Sequence, residues 1–404
     1  MTQAVLERLP VGAPRAFQNP VVLTALAGIV GLGLVIEQSA STRLALLFVT
    51  GTALGIVLYQ SLFGFTSAFR VLLADGRSAG FRAQMIMLGA ASLLFFPALG
   101  TGSLWGQPVV GFVSPVGVSV AVGSFLFGVG MQLGGGCASG TLFSVGGGST
   151  KMVLTLLFFI VGSVVGVVQL AWWQALPSLA PISLIATFGW PLALLLSIAV
   201  FAAAYAFVAR IERKRHGTVE PVTTIDNSSW LRGPWLLLAG ALGLALLNFA
   251  TLALAGRPWG ITSAFGLWGG MALQHLGLAV QTWSGYSDPA MQKSLAGGVL
   301  KDVTSVMDIG IMIGAMQCAG LASKFKPEWR ISGLHFMASV IGGFLLGYGA
   351  RLAYGCNIGA FFSGIASGSI HGWMWIVFAL IGNWAALYVR PLFDLPMPKR
   401  QTAC

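Results

Sequence analysis

The sequence predicts an all-α polytopic membrane protein, with about ten transmembrane helices plus re-entrant half-helices in two inverted pseudo-symmetric repeats. Three observations carry this expectation. The 404 residues are 56% hydrophobic and only 8% charged, where a soluble chain carries roughly 25% charged residues. The apolar residues fall in long runs of helix-spanning length. Two pairs of short glycine-containing segments repeat one another. A membrane barrel is excluded because its ~10-residue alternating segments do not occur.

Taken in order, residues 1–20 contain no short apolar core with a cleavage site, so no removed signal peptide is expected. Hydropathy then places spans at 21–37, 43–60, 83–99, 109–133, 152–173 and 186–209, the first repeat half. A polar basic linker follows at 210–232. The second half holds spans at 233–256, 297–322, 331–352 and 372–390, before a tail at 391–404. Between spans lie apolar pieces at 61–69, 134–150, 258–282 and 353–371, too broken to cross a bilayer and too apolar for ordinary loops. Irregular backbone at membrane depth survives only when buried in protein or lining a cavity, so these are expected to be re-entrant segments.

The net charge of +11 is dispersed among loops, which fits anionic lipid headgroups and not nucleic acid. With both termini cytoplasmic, all lysines and arginines but Arg43, Arg257, Lys293, Lys301 and Arg351 fall inside, as the positive-inside rule requires. The Arg210–Arg215 run is read as part of that inside-positive anchor. The four cysteines show neither zinc-site spacing nor a redox Cys-x-x-Cys. No cofactor, metal or nucleotide motif is found.

The repeats carry the functional expectation. Gly128, Gly130, Gly136, Cys137, Gly140, Phe143 and Ser144 match Gly347, Gly349, Gly355, Cys356, Gly359, Phe362 and Ser363 at one fixed offset. Gly64-Phe65-Thr66-Ser67-Ala68-Phe69 likewise matches Gly260-Ile261-Thr262-Ser263-Ala264-Phe265. The span count makes the first Gly-Cys break follow a helix running inward and the second a helix running outward. The halves are therefore inverted, and the breaks are expected to meet near the midplane. Glycines such as Gly136 and Gly355 let backbone N–H groups approach a ligand. Half-helix N-termini suit an anion. Thr66, Ser67, Thr262, Ser263, Ser139 and Asn357 add polar groups, and a thiol adds a soft S–H donor.

Other residues have blander readings beside functional ones. Arg351, five residues before Cys356, is either a pathway charge or a residue held by an acid or carbonyl. Asp302 and Asp308 could relay protons, while a Lys301–Asp302 helix-end cluster is the simpler reading. Cys318 is read as a packing residue and Cys404 as a tail residue. His335 and His371 are expected at the interface, and Trp172-Trp173 and Trp373 with Trp375 in headgroup belts.

The stretches Gly-Gly-Gly-Cys-Ala-Ser-Gly-Thr and Gly-Cys-Asn-Ile-Gly resemble those of the YeeE/YedE (sulphur-transport domain) family of bacterial inner-membrane proteins, over nearly the whole chain. The resemblance implies uptake of thiosulfate through short re-entrant loops that meet centrally. It assigns Cys137 and Cys356 the role of contacting the ion and passing it on through S–H hydrogen bonds. Many members carry a further cysteine where this chain has Gly64. The C-terminal half, with Gly-Ala-Arg-Leu-Ala-Tyr-Gly-Cys-Asn and Arg390-Pro391-Leu392-Phe393, is similar to the YedE branch, which is linked with selenium metabolism.

The expected function is non-enzymatic inward movement of thiosulfate or a related small sulfur anion across the bacterial inner membrane, with a small cytosolic sulfur-carrier protein as a possible acceptor. The alternatives are a selenium oxyanion or other sulfur compound on the same fold, and a membrane sulfurtransferase using covalent cysteine chemistry.

Overall fold

A computed structural model describes residues 17–223 and 229–397. The expectations for Arg8, Arg15, Lys399, Arg400, Cys404 and the linker's 224–228 lie outside the described residues. Among the described residues, ten helices are long and apolar enough to cross a membrane.

In chain order the helices are α1 (Asn19–Ser39), α2 (Thr42–Gln60), α3 (Phe65–Ala74), α4 (Ala79–Thr101), α5 (Val118–Gly134), α6 (Ala138–Gly146), α7 (Thr150–Gln174), α8 (Leu184–Phe188) and α9 (Trp190–His216). The second half adds α10 (Leu237–Ala255), α11 (Ser263–His275), α12 (Pro289–Gly297), α13 (Val303–Leu321), α14 (Gly333–Leu352), α15 (Asn357–Ala366) and α16 (Ile370–Val389). Three of the four expected breaks contain a short helix, α6, α11 or α15, and in the fourth, 61–69, α3 begins and runs on to Ala74. The start of α15 is wound as a π-helix over Asn357–Ser363. Among the described residues, sheet is confined to two ladders of two-residue strands and two isolated bridges.

Several boundaries differ from the hydropathy reading. The span expected over 109–133 starts only at Val118. Gly111, Pro115 and Gly117 interrupt its first part, and Val116–Gly117 pairs with Ser178–Leu179 instead. The span expected over 186–209 is split at Gly189, whose φ of +74° ends α8. The helix after it then runs on to His216, so the start of the expected linker is helical. The span expected from 297 begins at Val303, after Gly298 at φ +80°.

The packing has the symmetry that the repeats predict. Helices α2 to α7 correspond to α10, α11, α13, α14, α15 and α16. Helix α7 lies along α14 as α16 lies along α5, and α2 lies along α13 as α10 lies along α4. The pairs α5–α14 and α2–α10 meet across the axis. From α2 the chain crosses on α2, α4, α5, α7 and α9 before α10. That odd number of crossings makes the halves antiparallel to one another.

Close approach of the helices depends on glycine. At the α2–α13 crossing, a Cβ on Gly51 or Gly55 would enter the backbone of Met307 or Ile311, and one on Gly310 or Gly314 would enter α2. This is reciprocal small-xxx-small packing, which bilayer helices use in place of a hydrophobic driving force.

One buried polar cluster fastens α4 to the end of α9. Arg82 and Glu212 form an ion pair at 3.3 Å, with side chains 3% and 0% exposed. Ser78 donates its N–H and hydroxyl to the same carboxylate, and the Glu220 N–H donates to its other oxygen. Removing one partner strands a buried charge, which costs about 3–5 kcal/mol. Glu212→Ala is therefore expected to lower the thermal unfolding midpoint of the detergent-solubilised protein sharply. The apolar pair Arg82→Met with Glu212→Leu should recover much of that loss. An unchanged midpoint in the single variant would show that the pair does not fasten α9.

Candidate functional site

The two Gly-Cys breaks have parallel construction. Gly135 ends α5 at φ +90°, and Gly355 follows α14 at φ +147°, conformations that L side chains resist. Each turn delivers a cysteine to the N-cap of a short helix. Gly136 sits inside the first turn, where a Cβ would press within 3.2 Å of Gly140 and Thr141 backbone atoms. The Cys137 thiol sulfur accepts the Gly140 N–H at 3.4 Å and lies 3.4 Å from Ser139 Oγ. The Cys356 sulfur accepts the Ile358 N–H, also at 3.4 Å. Both cysteines are buried. Helices α6 and α15 touch, and the two cysteines lie within electrostatic reach of each other.

Around them are polar groups without partners. Asn357 is fully buried, and neither its side-chain oxygen nor its nitrogen has a hydrogen-bond partner among the described residues. Both carboxyl oxygens of the buried Asp308 are likewise unpartnered, and this group is within electrostatic reach of Cys356. Gly359 is buried, yet a Cβ built on it would meet nothing within 4 Å. The matching Gly140 would meet only Cys137 Sγ. Native proteins pair nearly all buried polar atoms, so unpaired groups beside open space mark a place shaped for a polar guest.

The remaining predicted residues divide between two ends of the bundle. At one end, Arg351 donates to the carbonyls of Thr262 and Ser263, at 3.0 and 2.9 Å. Of its two readings, carbonyl partners are therefore present. Ser263 Oγ donates to Thr304 Oγ1 at 2.9 Å. Ser263 also lines a cavity of about 560 Å³ walled by the end of α7, by α11 and by α12. At the other end, Thr66 Oγ1 is buried and unpartnered, while Ser67 Oγ donates to the Gly64 carbonyl at 3.0 Å. None of these four hydroxyl residues is hydrogen-bonded to either cysteine among the described residues. Cys137, Ser139, Cys356 and Asn357 thus lie together at the two Gly-Cys turns, and the Thr-Ser pairs lie apart from them, one in each half.

Two expectations are corrected. His371 is fully buried beside Ser369, not interfacial, whereas His335 is half-buried. Trp375 belongs to no headgroup belt: it is fully buried, donates to the Gly355 carbonyl at 3.1 Å and stacks on Phe361. It braces the turn that carries Cys356, and composition alone gave no signal of this. Asp302 behaves as the simpler reading required, capping α13 by accepting from Ser305 N and Oγ. Cys318 is buried in α13.

A multi-pass helical membrane protein of two inverted halves, with paired Gly-Cys turns meeting at its centre, is the class that fold and site define. The chain belongs to the family described as Sulphur transport, whose model matches residues 60–385. It is 31% identical over 177 residues to the probable transporter YedE of Escherichia coli, an alignment covering 43% of each chain. It is 27% identical to the thiosulfate transporter TsuA of Spirochaeta thermophila over 84% of this chain and 96% of that one. The thiosulfate transporter TsuA of Escherichia coli is also 27% identical, over 85% and 94%.

Proposed function

We propose that this protein carries thiosulfate or a closely related small sulfur anion inward across the bacterial inner membrane, with both termini cytoplasmic. The observation that carries the reading is the buried, unpaired Asn357 beside the Cys356 thiol and the open space at Gly359. The anion enters the 560 Å³ cavity and passes Ser263, Thr262 and the Arg351 guanidinium. It then meets Cys356 and Asn357, followed by Cys137 and Ser139, and leaves past Thr66 and Ser67.

Each sulfur already accepts a backbone N–H, which leaves its own proton available to the guest. Donation of that proton as a hydrogen bond lets the anion move on. A persulfide would instead require a reductant in every cycle. Inward passage of a dianion opposes a negative-inside potential by about 2.3 kcal/mol per charge per 100 mV. Proton coupling, or removal of the ion by a cytosolic sulfur carrier, therefore belongs to the reading.

The test is uptake of radiolabelled thiosulfate by cells lacking their own importers. Uptake that unlabelled thiosulfate suppresses more strongly than selenite or sulfate supports this solute. Absence of uptake in the wild type overturns thiosulfate. The stronger local similarity to a YedE protein and the glycine at Gly64 then favour a selenium oxyanion or another sulfur compound on the same path.

A further inference from the structure

The cytoplasmic approach contains an arrangement that the cysteine pathway does not use. Arg70, on α3, is only 8% exposed. Its Nε donates to Gln132 Oε1 at 3.0 Å, and its two terminal nitrogens have no hydrogen-bond partner among the described residues. Arg390, at the end of α16, is 2% exposed. It donates to the Gln132 and Pro396 carbonyls and leaves Nε unpaired. Lys151, in the first turn of α7, is part-buried, and its ammonium has no partner among the described residues. Lys151 lies within electrostatic reach of both arginines, and Arg390 within reach of Arg70. None of the three forms an ion pair among the described residues.

The repeat register gives this cluster a counterpart at the opposite mouth. Superposing Gly64 on Gly260 sets Arg70 on Gly266, and superposing Gly128 on Gly347 sets Gln132 on Arg351. In one half the guanidinium comes from the short helix and reaches the long one. In the other it comes from the long helix, and the Arg351 guanidinium fills the space a Cβ on Gly266 would take. Each mouth therefore has an arginine in the corresponding place, buried at Arg70 and half-buried at Arg351. The same register sets Lys151 on Ile370 and Arg390 on Ala171, so neither of these two cations has a charged counterpart at its matched position in the other half.

Three like charges gathered in a partly buried space repel one another and lack the pairing that buried charges require. A doubly charged tetrahedral oxyanion supplies it, because guanidinium forks match such oxygens and an ammonium adds a point charge. We infer that Arg70, Lys151 and Arg390 form a second anion site at the inner mouth, separate from the Gly-Cys centre, which takes a divalent oxyanion of the thiosulfate and sulfate class. The assignment of this mouth as the exit rests on the function proposed above; the anion site itself does not.

Sulfate and amine acetylation test the site directly. The purified full chain in detergent is acetylated in sulfate or in chloride of equal ionic strength, and modification of each lysine is followed by mass spectrometry. With sulfate at about ten times its dissociation constant, Lys151 is expected to react about tenfold more slowly, the free fraction having fallen by that factor. The exposed Lys326 should not change. R70Q should lose the protection, R70K should retain part of it, and Cys356→Ala should retain all of it. Equal Lys151 rates in sulfate and chloride overturn the site without recourse to any variant, as does full protection in a folded R70Q. Protection by phosphatidylglycerol nanodiscs but not by sulfate would assign the cluster to a lipid phosphodiester and also overturn it. Sulfate protection in a protein that takes up no thiosulfate would leave this site standing while the transport reading falls.

Discussion

Cys356→Ala is expected to reduce thiosulfate uptake by about tenfold to a hundredfold with the protein still inserted. The estimate follows from one hydrogen bond to a charged group, worth about 1.5–3 kcal/mol, at a buried position where water does not replace it. Cys137→Ala should behave similarly, because its thiol has the same N-cap position and likewise accepts one backbone N–H. Folding should survive both changes. Each sulfur satisfies one N–H at the start of a short helix, and loss of a capping side chain costs about 0.5–2 kcal/mol. Cys318→Ala is the matched control: it removes a buried thiol from α13 and should leave uptake unchanged. Labelled-thiosulfate uptake, normalised to the amount of protein in the membrane fraction, checks all three. Undiminished uptake in Cys356→Ala would remove the thiol from the pathway. Equal losses in all three would mean that general destabilisation is being read.

The fold and the candidate site were only partly legible in the sequence. Span number and the four short helices followed from hydropathy, because the bilayer fixes both the length and the polarity of what crosses it. The antiparallel halves followed from counting spans between matched motifs. What hydropathy cannot give is the rotation of a helix about its axis. Trp375 and His371 face the bundle interior instead of the headgroups, and no difference in apolar content distinguishes the two orientations. The irregular start of α5 was hidden for a related reason: residues 109–117 are apolar enough to extend a span, yet Gly111, Pro115 and Gly117 keep them extended. The functional role of Arg70 was also hidden. As a cation beside a span it satisfies the inside-positive rule, and its contact with Gln132 appears only when α3 packs against α5 within the first half.

Two glycines of the second motif should respond oppositely to added side chains, which separates the pathway from its scaffold. Gly347 lies at the α7–α14 crossing, where a Cβ would overlap the Phe159 carbonyl. Its partner in the first motif, Gly128, stands in the same relation to Ala379 on α16. Even Gly347→Ala must push two backbones apart, and overpacking of this kind costs about 1–3 kcal/mol or more, so a lower unfolding midpoint is expected along with lower uptake. Gly359 is buried too, but its Cβ direction is empty for 4 Å. Gly359→Leu should therefore fill the space beside Cys356 and Asn357, leave the unfolding midpoint near that of the wild type and abolish uptake. Measuring both midpoint and uptake for each variant decides the matter. A Gly359→Leu protein that still carries the anion would show that the space beside the cysteines is a packing void and not the route, whereas a stable, inactive one would place the path of the ion at the N-terminal turn of α15.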